Sequence, residues 1–73
     1  MAEYAPELKK LTSIATDMDL TPILRTKAIE QLARIGSREA LLALLELAAN
    51  EALVLKERDL ALKQARQVIK QSL

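Results

Sequence analysis

From Pro22 to Ala49 apolar residues return every three or four positions, and the period breaks once, at Gly36-Ser37. That spacing gathers side chains on one face of a helix and cannot serve a strand, whose faces alternate every second residue. Gly36 is the only glycine in 73 residues. At the end of a periodic run it can take the left-handed conformation that stops a helix, and Ser37 behind it is placed to cap the next one. A turn this short folds the two helices back antiparallel. One Gly and two Pro are too few to punctuate several strands, whereas Ala, Leu, Lys, Glu, Gln and Arg, which dominate the chain, are the strongest helix formers. The expected class is therefore all-α.

The same logic sets four helices, over about 6–16, 22–35, 38–49 and 52–71, in one domain that spans 1–73. Pro6 suits a first helical turn, with Glu7 favourable beside the positive end of the helix dipole, and Leu8, Leu11, Ile14 and Ala15 form the stripe. Thr16-Asp17-Met18-Asp19 breaks it. Thr21-Pro22 then reads as an N-cap and first-turn proline, followed by Ile23, Leu24, Ala28, Ile29, Leu32 and Ile35. In the third helix Leu41, Leu44, Leu45 and Ala48 make the main stripe, flanked by Leu42 and Ala49 on one side and by Ala40 and Leu47 on the other. So wide an apolar arc places this helix at the centre, with Leu44 in the core. Asn50-Glu51 marks the last break. The fourth helix sets Val54, Leu55, Ala61, Leu62, Ala65, Val68 and Ile69 against Lys56, Asp59, Lys63, Arg66 and Lys70.

Charge and composition narrow the function. Eleven basic and ten acidic residues leave a net charge of +1, too little to draw the chain as a whole to nucleic acid or an anionic membrane. With no Cys and no His there is no disulfide framework, no thiolate nucleophile and no thiolate or imidazole metal ligand. A reducing, cytoplasmic setting fits. No stretch reaches the ~18 apolar residues a membrane span needs, and no basic region leads into an apolar run at the N-terminus.

Sliding the chain along itself until Leu8 falls on Leu41 also sets Leu11 on Leu44, Ala15 on Ala48, Leu20 on Leu53, Arg25 on Arg58, Ala28 on Ala61 and Gln31 on Gln64. Ile14 with Leu47, Ile29 with Leu62 and Ile35 with Val68 pair as like with like. From Leu24 to Leu44 the chain reads Leu-Arg-x-x-Ala-Ile-x-x-Leu-x-x-Ile-Gly-Ser-x-x-Ala-Leu-x-x-Leu. This resembles the HEAT repeat, in particular its short lyase-associated variety, over the hairpin Thr21 to Asn50, with flanking half-repeats. The resemblance implies a short right-handed α-solenoid of four antiparallel helices in stacked hairpins, used for protein association; a compact four-helix bundle is the structural alternative. In that family an acidic residue ahead of the first helix often accompanies the arginine, and Asp19 precedes Arg25 here. The second copy departs from this, with Ala52 in place of the acid and no Ile-Gly turn after Val68.

Candidate chemistry fails on inspection. Asp17-Met18-Asp19 opens like a calcium loop, but Pro22 stands where glycine is required and Ala28 where a bidentate glutamate belongs. Ser37 has no histidine to activate it and suits a cap instead. Glu30 with Arg34, and Asp59 with Lys63, have the spacing of surface pairs. An active site would need Tyr4, a carboxylate and Arg25 gathered in one pocket. No enzyme, cofactor or metal site is expected. Arg25 and Arg58, beside apolar stripes, are expected to pair with Asp19 or a helix C-terminus and brace the hairpins, so that loss of either destabilises the fold. Gly36, Ser37 and Leu44 complete the structural set. The partner-binding candidates are Leu42, Leu45 and Ala49 of the third helix and Lys63, Arg66 and Lys70 of the fourth. The expected function is a protein-interaction or scaffold module, binding itself or a larger partner. The alternative is a regulatory nucleic-acid binder using the basic C-terminal face, although that face lacks aromatics for stacking and is interrupted by Asp59.

Overall fold

The computed structural model describes residues 5–72, apart from the side chains of Ala5 and Ser72. They form α1 (Ala5–Thr16), α2 (Pro22–Ile35), α3 (Arg38–Ala49) and α4 (Leu55–Ser72), with no strand among them. Each boundary has a local cause. Thr21 Oγ1 accepts from the Leu24 N–H at 3.3 Å and opens α2, and Ser37 Oγ accepts from the Ala40 N–H at 3.1 Å and opens α3. Gly36 sits at φ 65°, ψ 13°, and its N–H returns to the Leu32 carbonyl, which ends α2. The last helix starts at Leu55 rather than near 52, because Asn50 to Val54 are used by a turn.

That turn is a copy of the one between α1 and α2. The Asp19 N–H donates to Asp17 Oδ1 and the Ala52 N–H to Asn50 Oδ1, both at 2.9 Å. Leu20 N–H donates to the Asp17 carbonyl and Leu53 N–H to that of Asn50; Asp17 N–H reaches Ile14 and Asn50 N–H reaches Leu47. Arg25 and Arg58 complete the series, donating to the carbonyls of Thr21 and Val54. Asp and Asn both form this side-chain-to-backbone turn, so the change from Asp17 to Asn50 preserves it. Thus α1–α2 and α3–α4 are two copies of one unit.

The packing follows the same division. The most extensive helix pairings are α3 with α4 and α1 with α2; α2 with α4 and α1 with α3 then lay one unit on the other, while α1 and α4 do not touch. Two layers result, α1 and α3 over α2 and α4, which agrees with a thinnest dimension of 17 Å and helix diameters near ~10 Å. The closely packed pairs are therefore not the α2–α3 hairpin that the Thr21 to Asn50 resemblance singles out. Ala15, Ala28, Ile29, Leu32, Leu44, Leu47, Leu53, Ala61, Ala65 and Val68 make the core. Four of the ten are alanines, so the helices approach closely enough for backbone to pack near backbone. The third helix touches all three others, as does α2, but it is not enclosed: Leu42 and Leu45 are 52% and 39% exposed. Ile23 and Leu24 also stay exposed at the start of α2.

Candidate interaction surfaces

At the junction of the two units lies a buried ion pair. Arg25, on the first turn of α2, donates from Nε to Glu57 Oε1 at 2.9 Å and from Nη2 to Oε2 at 2.8 Å, while Nη1 donates to the Leu20 carbonyl at 2.6 Å. Both side chains are about 5% exposed. A planar guanidinium matches a carboxylate with two parallel bonds, so one side chain ties α2, the α1–α2 turn and the first turn of α4. Hydrogen bonding to Glu57 raises the guanidinium above its ordinary pKa, against the opposing effect of burial. The partner is not Asp19, whose backbone is occupied in its own turn and whose side chain is exposed. Glu57 is remote from Arg25 in the chain and stands at the place that Leu24 holds in the first unit, so the repeat itself carried no sign of it.

Arg58 is the repeat equivalent of Arg25 but has a different fate. Its Nε is buried without a hydrogen-bond partner, and no ion pair of Arg58 is found among the described residues. The bracing role that the sequence suggested for both arginines is filled here by Arg25 alone. A residue that stood to Arg58 as Glu57 stands to Arg25 would have to come from a further helix laid on α4.

Beside Arg58 runs an exposed apolar stripe, Leu55, Leu62 and Ile69, at heptad intervals that keep one helix face. Ala61, Ala65 and Val68 face the core instead, so the broad apolar face expected of α4 is two faces. The contrast with the first unit is direct: Ile29 is fully buried, while Leu62, its equivalent, is 40% exposed. Gln64, Gln67 and Gln71, on the other side of α4, line the cleft toward α2, which turns the Leu55, Leu62 and Ile69 stripe away from the first unit. On α3, Leu42, Leu45 and Ala49 are exposed on the side of the helix away from the buried Ala40, Leu44 and Leu47. At the opposite end of the stack, α2 shows solvent Leu24 and Gln31, in register with Glu57 and Gln64, and α1 shows Ile14, in register with the buried Leu47, while Lys27 and Arg34 rim the clefts toward α4.

A groove of about 890 Å³ runs between α2 and α4 over the ion pair, walled by Ile23, Val54 and Leu60 and rimmed by Lys27, Lys56, Lys63, Glu30 and Asp59. Lys63 thus opens onto this groove, and Arg66 and Lys70 are exposed on α4. Arg66 lies one helical turn from both Leu62 and Ile69. The mixed rim gives no uniform field for a phosphate backbone.

Ser37 spends its hydroxyl on the α3 cap, and Tyr4 lies outside the described residues. Among the described residues no group of three or more Asp or Glu is placed to hold a metal ion, and no helix is long and apolar enough to cross a membrane. No family model matches the chain, and neither a curated protein nor a solved structure matches it.

Proposed function

We propose that the chain is a non-catalytic protein-interaction module of HEAT-like hairpin type, which binds through the α3–α4 end of its stack. One observation carries the reading: Leu42, Leu45, Leu55, Leu62 and Ile69 are all exposed on α3 and α4, a larger apolar set than the Ile14 and Leu24 that α1 and α2 leave exposed among polar residues at the other end. Contiguous apolar surface of this kind on a small domain is spent on another protein surface, and repeat arrays normally protect an end with polar residues.

Photo-crosslinking at single positions tests this. A benzophenone side chain at Leu45 or Leu62 should form discrete adducts with another polypeptide, and the same group at Lys10 on α1 should form none. Light scattering over a range of concentrations would then separate self-association from an external partner. Monomeric chain with no adduct at either position would refute the proposal.

A further inference from the structure

The repeat register says what the open end is built to receive. In the first unit, the side of α2 next to Arg25 is covered by α4, which buries Ile29 and delivers Glu57 from its first turn onto the guanidinium. In the second unit the same elements recur in the same backbone geometry, with Arg58 for Arg25 and Leu62 for Ile29. There the apolar residue is exposed and the arginine Nε is buried with no acceptor. The rest of the Arg58 guanidinium is only half-buried and has no ion-pair partner among the described residues, and the acceptor that fits it is a carboxylate presented to its Nη end by a helix lying where α4 lies relative to α2.

We infer that the outer face of α4 takes an amphipathic helix from another chain, with a glutamate or aspartate in its first turn that pairs with the Nη end of Arg58 and apolar residues that cover Leu55, Leu62 and Ile69. The inference rests on the interaction reading above and names its partner's chemistry. A second copy of this chain, stacked head to tail, does not meet the requirement. It would bring α2 onto α4 with Leu24 where Glu57 sits, and the first turn of α2 holds no acidic residue to reach Arg58.

The probe is the segment that already satisfies Arg25: a synthetic peptide of residues 52–72, held helical by a staple between the solvent-facing positions 59 and 63. Titrated into the isotopically labelled full chain, it should give saturable shifts at the Arg58 Nε–H and at the Leu62 and Ile69 amides. Glu57→Gln in the peptide, or Arg58→Gln in the chain, should each weaken binding about tenfold, with Arg58→Lys recovering part of the loss. Circular dichroism of the Arg58 variants checks that the fold is kept, and the peptide variant tests the ion pair without touching the fold. Equal affinity for the Glu57→Gln peptide, shifts confined to the groove at Ile23 and Val54, or no saturation would each overturn the inference. So would dimerisation of the chain alone that Arg58→Gln leaves unchanged. If only the ion pair is wrong, crosslinks at Leu62 persist; if the interaction reading is wrong, they vanish too.

Discussion

Arg25 and Arg58 share a residue type, a turn and a backbone hydrogen bond, and differ in whether a carboxylate reaches them. Removing one member of a buried pair leaves the other desolvated and unpaired. Glu57→Ala should therefore lower the thermal midpoint by more than about 5 °C, whereas Arg58→Gln should leave it unchanged or raise it, because an unsatisfied donor is lost. Thermal circular dichroism reads both, and equal losses would show that the two arginines brace alike. Gly36 is a cleaner case. A Cβ there would meet only the Ala33 and Arg34 carbonyl oxygens, at 3.6 and 3.8 Å, so space is not the difficulty. The positive φ is, and Gly36→Ala should cost about 1 kcal/mol in chemical denaturation. The role of Gly36 could be read from its solitary position in the sequence. The partner of Arg25 could not, because the contact joins two different helices far apart in the chain and the repeat offered Leu24 at the corresponding place.

At the scale of the helices, capping and period carried most of the information. Thr21-Pro22, Gly36 and Ser37 start and stop α2 and α3 where local chemistry requires it. The start of α4 was less legible, since Asn50 ends α3 through a side-chain turn that no glycine or proline announces. Periodicity also cannot divide one apolar arc between two neighbours. Leu55, Leu62 and Ile69 fell on the same wheel as Ala61, Ala65 and Val68, and only the packing of α4 against α3 and α2 separates a buried stripe from an exposed one. Leu44 is the test of what the arc on α3 does bury. It is fully enclosed, so Leu44→Ala should cost ~2 to 5 kcal/mol, while Leu42→Ala, at an exposed position, should stay within ~0.5 kcal/mol. Urea titrations of the two variants would decide it.

For the whole molecule, two copies of a two-helix unit give a stack two layers thick with unlike ends. The duplication was visible in the sequence as the offset that lays Leu8 on Leu41 and Arg25 on Arg58, but which helices make the unit was not: short connections favoured α2–α3, and the packed pairs are α1–α2 and α3–α4. An apolar contact and a phosphate contact differ in their response to salt. Association through the α3–α4 end should therefore persist, with affinity reduced less than about tenfold, between about 50 and 200 mM salt. A far steeper loss would move the interaction to the cations of α4.

Unlike ends also make the stack a vector. A unit added after α4 would find a half-buried arginine with no carboxylate and a row of leucine and isoleucine to cover; one set against the free side of α2 would find Leu24 and Gln31, with Arg25 already held by Glu57. Growth, whether by gene duplication, by design or by capture of a foreign helix, is favoured in one direction only, and the duplicated turn sets the length of each step, the stretch of chain from Asp17 to Asn50.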